Sequence, residues 1–243
     1  MLKNYVKYFL YKFSLSAHMR RIIKSFDCMR KIKTILQENG ESHEICLDDL
    51  DKIKNITVKL HGVLDKTNQL IIELPQNKKL RLNAYFKGQN NIIKFGANCL
   101  GFWHLSLHQY DNKCYIGKEV ECSGPTWVFL INNELYIGDS CMFSDNIYIW
   151  GDGHSVLSWP DKKVLNLPTE PIKIGNHCWV GERVIITKKA QIPNDCIVGI
   201  TSVVTKKFEE EHVVLAGIPA KVVKRNVTWS GLPPLEYEKQ NKS

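Results

Sequence analysis

From Ile174 to Thr205 branched aliphatic residues recur every six positions, at Ile174, Val180, Ile186, Ile192, Val198 and Val204. A small residue stands four places after each of the first five, at Cys178, Val184, Ala190, Cys196 and Ser202. A helix repeats its apolar face about every three to four residues and a half-buried strand about every two, so a strict period of six fits neither. It fits a solenoid whose coil has three short flat sides, with the periodic residues turned inward. The pattern predicts a mainly β protein built as a parallel β-helix.

Upstream the same pattern runs with a longer step. Phe95-Gly96, Ile116-Gly117 and Ile137-Gly138 open apolar–Gly units 21 residues apart, and Cys99, Val120 and Cys141 follow at the small position. Three six-residue sides with a three-residue corner insertion give that spacing. After Phe143 and Ile149 the register stops, and it resumes at Ile174. The interruption, a loop at about 150–173, holds Asp152, His154 and Trp159. Insertions between solenoid sides become protruding loops, which commonly carry function.

Residues 56–92 alternate apolar and polar stretches between turn signals, as irregular early coils would. A β-helix domain over 56–208 follows. In residues 1–55 the apolar positions (Val6, Phe9, Leu10, Phe13, then Ile22, Ile23, Phe26, Met29, Ile32, Ile35, Leu36) fall at helical spacing. They predict a basic amphipathic helical extension. The stretch LAGIPAKVVKRN leaves the period and Pro219 breaks its strand pattern, so residues 209–243 are expected to hold a cap and tail, with a short helix or hook over the last coil.

Composition narrows the classes. The 243 residues are 44% hydrophobic and 24% charged, an ordinary globular balance. No apolar run approaches the roughly 20 residues of a membrane span. Basic residues interrupt the first apolar stretch, which reads poorly as a cleaved signal peptide. A cytoplasmic protein is expected. The net charge of +8 gathers in the first forty residues and in a late group, Lys206, Lys207, Lys221, Lys224 and Arg225. Such charge suits nucleic acid, an anionic membrane face or a phosphorylated ligand. No aromatic–basic RNA motif accompanies it, so nucleic acid is not expected as a partner.

The eight cysteines include no CxxC pair. Cys99, Cys141, Cys178 and Cys196 occupy the small inward position, so they read as core residues rather than disulfides or zinc ligands. His104, His108, His154 and His177 lack the spacing by which three histidines from neighbouring coils would hold zinc, and no metal is expected.

The register, the segment IKIGNHCWVGERVIITKKAQIPNDCIVGITSVVTKK and the following AGIPAKVVKR together resemble the hexapeptide-repeat acyltransferases. The resemblance implies that the β-helix is left-handed, which spacing alone does not supply. Asp152-Gly153-His154 ahead of Ile174–Gly181, with a tail from Lys224 to Trp229, is similar to the bacterial capsule O-acetyltransferases, including those acting on sialic-acid-containing polysaccharides. That likeness implies acetyl-CoA as co-substrate, a glycan acceptor, His154 as general base and Trp179 beside the thioester. It also implies a homotrimer with active sites between subunits. Lys206, Lys221 and Arg225 would meet the CoA phosphates; Gly199, Thr201, Ser202 and Thr205 would flank the cofactor; Gly181 would let it approach the backbone. Because capsule synthesis occurs at the inner membrane, peripheral contact with that membrane or with capsule-synthesis machinery is a further expectation.

The chemistry agrees with the resemblance. A sugar hydroxyl attacking a thioester must lose its proton, and imidazole, with an ordinary pKa of about 6.5, suits that task near neutrality. Asp152 or a backbone carbonyl would fix the imidazole tautomer, and a backbone N–H or the Trp179 indole would meet the developing oxyanion. The acyl group is already activated, so no protein nucleophile or metal is required. The alternatives on the same fold are N-acetylation of an amino sugar and O-acetylation of a small acceptor.

Overall fold

A computed structural model describes residues 33–38, 41–45, 54–64, 66–151 and 153–241. Its strands stack in parallel into a three-sided coil. Face 1 comprises Lys33–Glu38, Gln69–Glu73, Ile92–Phe95, Lys113–Ile116, Glu134–Ile137, Ile172–Ile174 and Gln191–Ile192. Face 2 comprises the start of Glu121–Ile131, then Met142–Phe143, Trp179–Val180, Ile197–Val198 and Val213–Gly217. Face 3 comprises Ile56–Gly62, Leu80–Lys87, Leu100–His108, the rest of Glu121–Ile131, Ile147–Gly151, Ile185–Thr187 and Val203–Val204. Leu100–His108 and Glu121–Ile131 run across two faces, with an irregular register where they turn.

The period explains the packing. Ile116 pairs with Phe95 and with Ile137, steps of 21 residues, whereas Ile174 pairs with Ile192 at a step of 18. Phe95, Ile116, Ile137, Ile174 and Ile192 form one inward column, each at most 4% exposed. Burying one such side chain stabilises by ~1.5–3 kcal/mol. Cys99, Val120, Cys141, Cys178 and Cys196 form the small column beside it, and all four cysteines are free and buried. Burial pushes the Cys99 and Cys196 thiols up to about 12, so they behave as small apolar groups. Close stacking at the corner between faces 1 and 2 requires glycine. A Cβ on Gly138 would lie 2.6 Å from the Asn176 amide nitrogen of the next coil.

One expectation changes and another narrows to one of its alternatives. Residues 33–38 and 41–45, expected in a helical extension, form strands. Lys33–Glu38 pairs in parallel with Gln69–Glu73 and antiparallel with Glu41–Ile45, and Thr34 is fully buried. Pairing onto an open sheet edge overrides the local helical spacing, so the sheet starts before residue 56. Residues 1–32 and 46–53 lie outside the described residues. At the other end the cap is a β-hairpin, Val213–Gly217 with Ala220–Arg225, and Pro219 sits in its turn. The helix Pro234–Gln240 buries none of its residues.

Candidate active site

The corner joining face 3 to face 1 changes character along the axis. In the upper coils it is closed by a ladder of buried asparagines. Asn91 and Asn112 each donate Nδ2 to the Oδ1 of the asparagine one coil back, Asn68 and Asn91, at 2.9 and 2.7 Å. The Asn133 amide N–H continues the ladder to Asn112 Oδ1 at 3.0 Å, and its own Nδ2 donates to the Gly151 carbonyl at 3.3 Å. At that point the ladder ends and the inserted loop begins. Ile137 pairs with Ile174, 37 residues later, so one coil carries the whole insertion.

The loop is a hairpin anchored at this corner. Leu157 and Val164 form an antiparallel bridge. Asn166 ties its neck, donating to the His154 carbonyl at 2.8 Å and accepting the Val156 N–H at 2.8 Å. The His154 backbone is thereby fixed while the residue remains exposed. Asp152, expected to orient it, lies outside the described residues. A Cβ on Gly153 would lie 3.4 Å from Lys188 Nζ, and Gln191 Nε2 reaches Glu170 at 3.4 Å, so both ends of the loop stay at the corner. Lys188 and Lys189 underlie the loop, and Lys206 and Lys207 occupy the equivalent positions one 18-residue coil later. Of these four, Lys188 and Lys189 were missed by sequence reasoning, although the sixfold step places them directly before Lys206 and Lys207.

Trp179 is on face 2, pointing outward and half-buried. Its indole Nε1 donates weakly to Ser144 Oγ at 3.5 Å. Beside it the His177 ring stacks on Trp229 at 4.5 Å and 11°, His177 Nδ1 meets Asp195 Oδ1 at 2.8 Å, and Trp229 Nε1 donates to the His177 carbonyl at 2.8 Å. The tail is thus pinned across face 2. An open cleft of about 420 Å³ lies there, bordered by Lys78, Glu121, Met142, His177 and Trp229. The Asp195 contact lies at the same 18-residue coil step as Lys188 and Lys206, whereas the Trp229 contact joins residues 52 apart and has no signal in the pattern.

The other expected residues divide between these places. Gly181 and Gly199 stand at the corner between faces 2 and 3. Gly181 is buried and answers a packing demand: an added Cβ would lie 2.8 Å from the Ile200 nitrogen and the Val198 oxygen. Thr201, Thr205, Lys206 and Lys221 are exposed. Ser202 is a correction. It is 1% exposed and faces the core, where its hydroxyl accepts the Gly217 N–H at 3.1 Å, so it braces the closing hairpin and lines no surface. Arg225 already holds Glu210 through two contacts of 2.6 and 3.0 Å. Glu210 keeps the guanidinium charged, and Arg225 in turn holds that carboxyl below its ordinary range.

Within one chain, then, the site is in two halves. His154, Lys188 and Lys206 sit at the corner between faces 3 and 1. Trp179 sits on face 2, across the core, and Lys221 lies on the hairpin that extends that face. The loop also exposes Val156, Leu157, Trp159, Leu165 and Leu167, with Trp159 85% exposed under Lys162. Among the described residues no group of three His, Cys, Asp or Glu side chains is placed to hold a metal ion.

No protein-family model and no curated protein matches the chain. Solved structures do. The polysialic-acid-specific acetyltransferase NeuO is 25% identical, with a TM-score of 0.65 over 84% of this chain and 79% of that one. The polysialic acid O-acetyltransferase OatWY is 22% identical, with a TM-score of 0.48 over 87% of this chain and 97% of that one. AntD, an N-acyltransferase from Bacillus cereus in complex with dTDP and coenzyme A, is 15% identical, with a TM-score of 0.39 over 78% of this chain and 90% of that one.

Proposed function

We propose that this chain, a hexapeptide-repeat acyltransferase with a left-handed parallel β-helix, transfers acetyl from acetyl-CoA to a hydroxyl of a bacterial surface polysaccharide. The observation that carries the proposal is the division of the site. The loop with His154 and the face with Trp179 point away from one another in a single chain, and a second copy set in rotation would bring a loop of one against face 2 of the next. A homotrimer with three such junctions also covers the exposed apolar loop, which no other part of the described residues buries. We place it in the cytoplasm, where the co-substrate is made.

In this arrangement CoA lies between two subunits. Lys206 on the loop corner and Lys221 on the neighbouring hairpin supply cations to its phosphates from opposite sides. The His154 imidazole takes the proton as the sugar oxygen attacks the thioester carbonyl, and Trp179 walls the acetyl group. The tetrahedral adduct collapses, the C–S bond breaks, and the CoA thiolate leaves as the proton returns from His154. The products are a sugar ester and free CoA. Thiol release from acetyl-CoA with purified polysaccharides and amino sugars as acceptors tests the reading. Turnover with hydroxyl-bearing glycans is expected, and turnover with amines alone contradicts it.

A further inference from the structure

The active site leaves face 3 unused, yet its outer surface is unlike the rest of the solenoid. Between residues 56 and 62, 80 and 87, 102 and 108, 125 and 131, and 147 and 151 there is no aspartate or glutamate. In register the outward positions form two columns, Lys59–Asn83–His104–Trp127–Tyr148 and His61–Tyr85–Ser106–Phe129–Trp150. The rings continue from coil to coil. His104 stacks on Trp127 at 3.8 Å and 6°, Trp127 faces Tyr148 at 6.4 Å and 9°, and Phe129 meets Trp150 at 4.4 Å. Burial holds His104 toward its neutral form, so it acts here as one more flat ring. An open trough of about 480 Å³ runs between Tyr85, Lys87, His104 and Trp127. Lys87 Nζ stands over the Tyr85 ring, 5.5 Å from its centre.

Coils repeat every ~4.8 Å along the axis, close to the length of one pyranose unit. A ligand that repeats along the axis would meet a ring and a polar group at each step. Ring faces suit the C–H side of a sugar, while a carboxylate-free surface with lysines suits its acidic groups. The track also leads somewhere: Trp150, its last ring, is four residues before His154. A subunit contact fits less well, since lysine is depleted from the middle of such interfaces and Lys87 lines the trough itself.

We propose that face 3 binds an extended anionic polysaccharide along the solenoid axis and delivers it to the loop that carries His154. The proposal rests on the glycan O-acetyltransferase reading and adds to it a polymeric, acidic acceptor and its binding surface. The test uses the full chain, with polysialic acid, its monomer and dextran as probes, and the variants Tyr85→Ala, Lys87→Glu and Trp150→Ala. Polysialic acid should bind more tightly than either other probe, and less tightly as salt rises. Each variant should weaken that binding about tenfold and raise KM for the polymer. Their kcat, their affinity for acetyl-CoA and their oligomeric state should match the parent.

Variants that bind the polymer like the parent overturn the proposal. So does Lys87→Glu dispersing the oligomer, which would mark face 3 as a subunit interface. If the parent acetylates the polymer while the variants are indistinguishable from it, face 3 is wrong and the enzymatic reading stands. If the parent neither binds nor acetylates any glycan but acetylates amines, the reading beneath the proposal fails as well.

Discussion

Faces 1 and 3 are built on one backbone and share one core, yet their outer surfaces are opposites. On face 1 charges meet their partners across coils: Lys94 with Glu73 at 2.7 Å, and Lys113 with Glu134 at 2.6 Å, where the Tyr136 hydroxyl also donates at 2.6 Å. These charges are matched within the face itself. Face 3 sets histidines and rings side by side, with lysines and no carboxylate in its strands from 56 to 151. Its inward residues are just as well buried. The difference shows that inward positions specify the coil, and that outward positions are free to specify what the coil meets.

The largest test of this division falls at the corner where the two faces join. His154→Ala should lower kcat by about 10²–10⁴-fold with acetyl-CoA affinity preserved, as steady-state and binding measurements would show; unchanged turnover would remove the loop from the chemistry. Next come the inward positions, where the faces should behave alike. Ile174→Ala on face 1 and Ile186→Ala on face 3 should each cost ~2–5 kcal/mol in urea unfolding. A large cost on one face and none on the other would break the shared-core account.

Asn112→Ala, which removes a rung of the corner ladder, should cost about 1–3 kcal/mol, because the ladder amides above and below it lose a partner in a buried site. The smallest effect is expected from Glu134→Gln on face 1. The Lys113 ammonium and then the Tyr136 hydroxyl hold the Glu134 carboxyl below its ordinary 4.5. Its contribution is therefore present above that value and is lost as pH falls through the lower, folded one. The melting temperatures of parent and variant should differ slightly at neutral pH and converge only once the pH has fallen through that lowered folded value. A difference that persists in acid would mean that the pair is not the source.

How much of this could be read from the chain follows the same division. The inward column from Ile174 to Val204, the small cysteines and the break that holds His154 were legible because burial enforces a period. Residues 33–38 were misread because Ile32, Ile35 and Leu36 also satisfy a helix, and only the neighbouring strand at Gln69 decides between the two. Asn91, Asn112 and Asn133 stand 21 residues apart, as do Trp127 and Tyr148. They keep the same step as Phe95, Ile116 and Ile137, so the period is written in polar and aromatic positions as well as in aliphatic ones. The stack of His177 on Trp229 joins residues 52 apart and offers no such signal. Ser202 was placed on the cofactor surface by resemblance although its own repeat position pointed inward, and the repeat position was right.

The central claim is that His154 of one subunit works with Trp179 of another, and complementation tests it directly. His154→Ala and Trp179→Ala chains, each inactive alone, would be co-expressed with different tags and their mixed trimers isolated. A site at each junction predicts recovery, because one junction of every mixed trimer pairs an intact loop with an intact face 2. Random mixing of equal amounts would restore about a quarter of the parental sites. Mixed trimers that form and remain as inactive as their parents would contradict the claim.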